Sequence, residues 1–519
     1  MAGGQDRLSE LPNDLLRRVL HFAPLKEAAS TTALSRRWRA PLWLSSGAVN
    51  LETGVDNNRR RRHDDDKARF FSTRDAFVSA AAGALDAADV PVTRLTLRLD
   101  SDLKAASRYT GLVGIVLSHR AARRVEELRL VARQYWCECH DFGNTRPERL
   151  YTVTLHSLPL IKTLRVLDLA NCEGLLYRRE AAAPRLSSIR LSHCNQHLCS
   201  LQRVMDAAPA LLAVRLESVS IDATDQDEAT TRRQLRCPAA TILVLNSCTW
   251  MVHKHKPGHY YKQTVDVDDL DIVAPRLRSF TYKGPLRSLS FSPLPPDLER
   301  VDLDLSGHGN YENNKDTDHD IVTLFWRFAR SFTSAKEMRL KVNHLDDIAV
   351  LSEARRVELL PTFRRLRRLE VQGVDFTKGK TPAAVTILIL LRCCPVLSAL
   401  RINLTPERHH DHASNKNVEP DTRIPQKEIQ ISALAPYHLF KCLQNSLRRV
   451  ALRFQLDKSN CLGVKLIKFF AENAMALEEM YVDAGEEKFC EQMNPKIQKW
   501  NSKRRNLGAT TFVVLPLKR

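Results

Sequence analysis

Residues 164–194 read LRVLDLANCEGLLYRREAAAPRLSSIRLSHC. The stretch makes one statement twice. Leu164, Leu167 and Leu169 stand in the pattern apolar-x-x-apolar-x-apolar, and Leu186, Ile189 and Leu191 repeat it. In each copy a cysteine, Cys172 or Cys194, follows the last apolar residue by three. Apolar residues two apart point to one face of a strand, and the residue between them points to the other. Each copy is therefore expected to be a short strand with one buried face, with Asp168 and Arg190 on the opposite face. Pro184 stops any helix before the second copy and holds the residue ahead of it extended.

Outward from this stretch the pattern continues over most of the chain. It recurs at 92–97, 125–130, 211–216, 240–245, 277–282, 286–291, 298–303, 335–340, 366–371, 397–402, 447–452 and 477–482, and LYTVTL at 150–155 is a near match. Cys248 and Asn343 occupy the same slot as Cys172 and Cys194. Asn or Cys at that place, after a strand of this pattern, is the signature of leucine-rich repeats. Helix-like segments closing on proline precede several copies, as in AAAPRL, DAAPAL, IVAPRL and CCPVL. The copies at 277, 286 and 298 are too close for full units, so the middle one is read as an inserted strand. The expected fold class is an α/β repeat: an irregular leucine-rich-repeat solenoid behind an N-terminal helical segment.

In such a ladder the residue between the paired apolar positions lies on the open sheet face. Five of the fourteen are arginine: Arg129, Arg190, Arg215, Arg339 and Arg401. Guanidinium forks suit carboxylates and phosphates, so an acidic or phosphorylated ligand is expected there. The plainer alternative is a solvated strand face with ordinary charges.

The 519 residues are 43% hydrophobic and 27% charged, in the range of a soluble globular chain. The net charge of +19 favours acidic partners, either protein or nucleic acid. Twelve cysteines show no disulfide-framework spacing, the N-terminus has no apolar signal region, and no run of about 18 apolar residues is present. The expectation is a reduced, intracellular protein of nucleus or cytoplasm with no membrane partner. No phosphate-binding loop, H-E-x-x-H or G-x-S-x-G motif appears, so no catalytic residue, cofactor or metal is expected. Cys137, Cys139 and His140 sit close together but lack a second ligand pair. HKHKPGH (253–259) and HHDH (409–412) read as exposed loop histidines. RRRR (59–62), beside an aspartate run, reads as solvated linker.

The N-terminus follows a different rhythm. In LPNDLLRRVLHFAPLKEAASTTALSRRWR (11–39), Pro12 and Asn13 start a helix, Leu15, Leu16, Val19 and Leu20 line it, and Pro24 ends it before a second helix that runs toward Trp38. So short a segment cannot bury this much apolar surface alone. DRLSELPNDLL (6–16), Val19, Leu20, PLK (24–26) and LSRRWR (34–39) resemble the F-box in its plant form. LIKFFAENA (466–474) and LEEMYVDAG (477–485) resemble the FBD-type C-terminal region of plant F-box/leucine-rich-repeat proteins. The resemblance implies an F-box over 1–45, leucine-rich repeats over 76–440 and FBD-like C-terminal repeats over 441–519, and the charged composition of the stretch between, 46–75, reads as a linker. It also implies a non-catalytic substrate receptor of a Skp–cullin–F-box ubiquitin ligase. Leu11, Pro12, Leu15, Leu16, Val19, Leu20 and Leu25 would face the Skp-type adaptor, which leads to the cullin and RING ligase, and the repeats would hold an unknown protein substrate. Two alternatives stay open: a helical hairpin packed only on the first repeat, and a basic repeat scaffold for acidic protein or nucleic acid without ligase function.

Overall fold

The computed structural model describes residues 10–33, 38, 42–52, 65–101, 114, 116–134, 151–154, 161–176, 182–224, 233–255, 262–266, 269–305, 321–375, 382–406, 440–456, 462–485, 489–505 and 512–516. The chain forms two compact units, residues 1–267 and 268–519.

In the first unit the main ladder consists of β1 (Ala48–Glu52), β2 (Arg94–Ser101), β3 (Glu127–Gln134), β4 (Val166–Ala170), β5 (Ser188–Ser192), β6 (Ala213–Glu217) and β7 (Ile242–Asn246). Each strand lies parallel beside the one before it. The register aligns the repeat. Leu95, Leu128, Leu167, Ile189, Val214 and Leu243 form one row, and Leu97, Leu130, Leu169, Leu191, Leu216 and Leu245 form the next. All twelve are buried, and each such side chain stabilises the fold by roughly 1.5–3 kcal/mol relative to exposure. The intervening row is Asn50, Thr96, Arg129, Asp168, Arg190, Arg215 and Val244, which shares the other sheet face.

Two local devices recur beside the described ladder strands. The first leads into the strand. Ala183-Pro184, Ala208-Pro209, Cys237-Pro238, Ala274-Pro275 and Cys394-Pro395 each open a turn closed by a backbone bond three residues on, at 3.0–3.3 Å. Proline at the second turn position has φ preset for it. The second device leads out. Asn171, His193, Ser218 and Ser247 all lie two residues past the last core leucine, with φ of 51–56°. The N–H groups of the first three donate to Ser192 O, Glu217 O and Asn246 O of the following strand at 2.7–2.9 Å. The next residue fills the cysteine slot. Cys194 Sγ donates toward Leu169 O (3.6 Å) and Ser192 O (3.3 Å), and Cys248 Sγ toward Leu216 O (3.4 Å). Cys172 Sγ reaches Ala170 O at 3.4 Å.

Past that turn the first unit departs from the expected helix. Cys172–Leu176, Asn195–His197, Ser220–Asp222 and Thr249–His255 are short strands of a second sheet, flanked by Tyr151–Thr154 and Lys262–Asp266. The near match LYTVTL thus belongs to this second sheet and not to the main ladder. The helices here include α1 (Asn13–Leu20), α2 (Leu25–Ser30), α3 (Asp65–Asp86) and α4 (Leu198–Asp206). β1 and the start of α3 fall inside the stretch 46–75 read as linker. The alternation of Ala48-Val49-Asn50-Leu51 forms the strand, with Val49 and Leu51 buried. The arginine run 59–62 lies outside the described residues.

The second unit carries β8 (Ser279–Lys283), β9 (Arg300–Asp304), β10 (Glu337–His344), β11 (Arg368–Asp375), β12 (Ala399–Pro406), β13 (Arg449–Arg453), β14 (Glu479–Asp483) and β15 (Val513–Pro516), again parallel and in chain order. Helices now separate many of the strands, among them α5 (Ile321–Arg330), α6 (Pro382–Cys393) and α7 (Leu462–Asn473). The copy at 286–291 forms Ser288–Phe291, which pairs with Asp269–Val273 outside the ladder, as an inserted strand should.

Candidate functional site

The sheet-face arginines are less available than their number suggests. Register sets a carboxylate beside several of them. Arg129 Nε lies 3.3 Å from Asp168, Arg190 2.9 Å from Glu217, and Arg339 3.6 Å from Glu370. Further pairs extend this lattice in the second unit: Lys341–Asp304 (3.1 Å), Arg449–Glu479 (3.0 Å) and Arg453–Asp483 (3.0 Å). Burial pushes the Asp168 carboxyl above its usual range, against the pull of Arg129 and Arg190. Of the five arginines expected to meet an acidic ligand, Arg215 and Arg401 are the two that form no ion pair among the described residues. A positive surface at this face is thus narrower than a count of arginines predicts.

The helix pair shows a sharper division. Leu16 and Leu20 are buried and form the hairpin's own core with Ala28, Trp38 and Leu42, and Leu11, Ala23 and Trp43 pack against it. These two leucines were expected at an adaptor surface. Four residues apart, they share one helix face, and that face is closed from within. Leu15 and Val19 are one position back and turn outward, 46% and 53% exposed. Phe22, 60% exposed, continues their line. The spacing 15, 19, 22 follows the helical period. Phe22 was absent from the expected set, although the i, i+4, i+7 rule starting at Leu15 reaches it. Pro12 is exposed, and Leu11 and Leu25 are half-buried.

The pair is fastened to the first strand. Asn50 Nδ2 donates to His21 O (2.9 Å) and Ala23 O (3.0 Å), which holds the bend between α1 and α2. His21 Nδ1 lies 2.9 Å from Ser46 O, and Arg17 Nε donates to Ser45 Oγ at 3.1 Å. The exposed stripe therefore sits on an anchored element. Of the LSRRWR segment, only Trp38 is within the described residues.

No protein-family model matches the chain. Relatives of nearly full length are found among curated plant proteins. An F-box/FBD/LRR-repeat protein of Arabidopsis thaliana is 23% identical over 485 residues, covering 92% of this chain and 89% of its own length. A putative F-box/LRR-repeat protein of the same plant is 23% identical over 499 residues, 93% of this chain and 92% of its own. The chain is similar to plant F-box/LRR proteins over more than nine-tenths of its length. An FBD-associated F-box protein of Arabidopsis thaliana, 22% identical over 494 residues, covers 92% of this chain and 84% of its own length.

In this F-box/LRR-like chain the remaining reactive groups are quiet. Among the described residues no group of three or more His, Cys, Asp or Glu could hold a metal ion, and no helix is long and apolar enough to cross a membrane. Cys137, Cys139, His140 and residues 409–412 lie outside the described residues, as do 256–259, while 253–255 end the Thr249–His255 strand. Burial pushes the thiols of Cys237, Cys393 and Cys442 up to about 12, so they stay protonated at neutral pH.

Proposed function

We propose that this chain is the substrate-recognition subunit of a Skp–cullin–F-box ubiquitin ligase. Residues 1–45 act as the F-box, the ladders as leucine-rich repeats that hold a protein substrate, and 441–519 as an FBD-like end of the repeats. The chain itself supplies no catalytic residue. One observation carries the reading: the helix pair closes its own core on Leu16 and Leu20 and still leaves Leu15, Val19 and Phe22 exposed in a line. A stripe of that kind on an anchored helix is the form an amphipathic helix takes at a partner's groove. The likeness to proteins named F-box/LRR supports the adaptor as that partner. Substrate contact belongs to the polar sheet faces, where Arg215 in the first unit and Arg401 in the second each offer a guanidinium group to an acidic or phosphorylated partner.

The test is co-expression of the full chain with a plant Skp adaptor, followed by size-exclusion chromatography. The wild type co-elutes, and Leu15→Asp with Val19→Asp abolishes the complex while circular dichroism stays unchanged. Absence of a complex with the wild-type chain overturns the reading. A basic repeat scaffold would then be the better account, and salt-dependent binding to generic nucleic acid would be its mark.

A further inference from the structure

In the second unit the residues just ahead of the main-ladder strands are rich in cations, and register sets carboxylates level with them. Arg276 and Arg278, ahead of β8, stand level with Asp297 and Glu299. Lys336 lies 3.5 Å from Glu299, and Arg448 pairs with Glu478. At the first strand position Arg368 lies 2.8 Å from Glu337 and Arg449 3.0 Å from Glu479.

The approach to β11 departs from this. It runs Phe363-Arg364-Arg365-Leu366-Arg367-Arg368, and all four arginines are exposed. Arg368 takes Glu337. Arg364, Arg365 and Arg367 form no ion pair among the described residues. Register gives the reason. Arg368 is level with Glu337 on one side and Ala399 on the other, so Arg367 stands between Lys336 and Ser398. By the same register Arg364 and Arg365 stand between Thr333-Ser334 and Pro395-Val396. No carboxylate is level with any of the three. Arg365 Nη1 donates to Pro296 O at 2.9 Å, which ties that side chain back along the surface. The side chains of Arg364 and Arg367 make no hydrogen bond among the described residues. Their base is fixed: Phe363 and Leu366 are buried, Leu366 N closes the turn on Phe363 O at 3.5 Å, and Phe363 N donates to Cys393 O at 2.8 Å. Three residues apart, the two arginines have α-carbons within about 10 Å of each other. Val396, 41% exposed, holds in the next turn the place that Arg365 holds in this one.

We infer that this turn is a docking surface for a short acidic segment of a partner protein. Arg364 and Arg367 meet two of its carboxylates, and Val396 meets an apolar side chain beside them. Guanidinium forks grip carboxylates in a bidentate manner, and neither of these two has a carboxylate of its own to give up. Three unneutralised guanidinium groups on one turn also repel one another, and an acidic partner relieves that repulsion. A nucleic-acid backbone fits less well. Its affinity comes from many phosphate contacts in series, and along this edge it would run past Glu299 on one side and Glu478 on the other. The surface lies ahead of the strands and not on the row that carries Arg401. It requires only the described fold of the second unit, so it stands whether or not the chain binds a Skp-type adaptor.

The test uses the full-length chain and fluorescence anisotropy at about 0.15 M salt, where exposed charges are screened beyond about 8 Å. The probe is a labelled peptide with aspartates on both sides of a leucine, and the control peptide carries asparagine for each aspartate. The wild type should bind the aspartate peptide saturably and the asparagine peptide more weakly. Arg364→Gln with Arg367→Gln should weaken the aspartate peptide about fivefold, the worth of two exposed ion pairs. The same variant should melt at the wild-type temperature, because neither side chain has a partner to lose. Arg276→Gln with Arg278→Gln removes the same charge from the matching places ahead of β8, where carboxylates stand level, and should leave affinity within about twofold. Val396→Ser should weaken the aspartate peptide about threefold. Equal weakening by the two double variants marks generic attraction to a basic chain and overturns the assignment. So does a wild type that fails to bind, or a lowered melting temperature in Arg364→Gln with Arg367→Gln, which would make these arginines structural. Tighter binding of a single-stranded DNA oligonucleotide through the same two arginines also overturns it, in favour of nucleic acid.

Discussion

Ser218 and Ser247 hold φ at 52° and 51°, where an L residue's Cβ crowds the following carbonyl. Asn tolerates this region, and Asn171 shows the ordinary solution. A β-branched residue does not. Ser218→Val is expected to lower stability by about 1–2 kcal/mol, while Ser218→Gly should hold the urea midpoint or raise it. Gly463 presents a different constraint: a Cβ there would overlap the Phe454 ring. Gly463→Ala should cost about 1–3 kcal/mol by overpacking, read as a lower urea midpoint at unchanged slope. At this scale the sequence is legible in part. The cysteine slot announces itself, because Cys172, Cys194 and Cys248 recur at one offset. The left-handed turn just before it does not, because histidine and serine carry no mark of positive φ.

At the scale of the element, α1 separates two kinds of leucine one residue apart. Leu16 is fully buried and Leu15 about half exposed. Leu16→Ala should cost roughly 2–5 kcal/mol by opening a cavity, whereas Leu15→Ala should stay within about 0.5 kcal/mol in the isolated chain. Thermal melts of the two variants check this, and equal losses would remove the basis for an outward stripe. The apolar pattern of α1 marks an amphipathic helix, but which side closes inward depends on where Trp38 and Leu42 arrive from outside it. The second strands of the first unit were hidden for a related reason. Asn195–His197 and Ser220–Asp222 are three residues long, too short for periodicity to distinguish from a turn.

Across the whole chain, charge and thiols set the expected behaviour in solution. The ladder was legible because its leucines recur at one spacing. The neutralisation of its open face was not, because Arg129–Asp168 and Arg339–Glu370 become neighbours only once the register is known. These exposed pairs contribute little each, so added salt should change the melting temperature only slightly. The thiols predict more. Of the eight cysteines whose side-chain burial is described, Cys199 is exposed and the other seven are buried, so a maleimide should label Cys199 in the native state while Cys172, Cys194, Cys237, Cys248, Cys393, Cys394 and Cys442 resist. Native mass spectrometry with peptide mapping reads this directly. The raised thiols also give a pH dependence of known sign. Unfolded cysteine loses its proton near 9.0, whereas Cys237, Cys393 and Cys442 hold theirs to about 12. The folded state binds more protons in that window, so stability is full below about pH 9 and falls as pH rises toward 12.

The order of the strands has a consequence for how the chain is made. Within each unit, every main-ladder strand pairs with the one that precedes it in the chain. A nascent strand emerging from the ribosome therefore finds its template already synthesised and never has to wait for a later segment. Each new repeat can dock on an edge that its predecessor has just exposed, and the same docking covers that edge against other chains. Synthesis and folding can thus proceed in one direction at one pace, with a single growing edge in each unit at any moment.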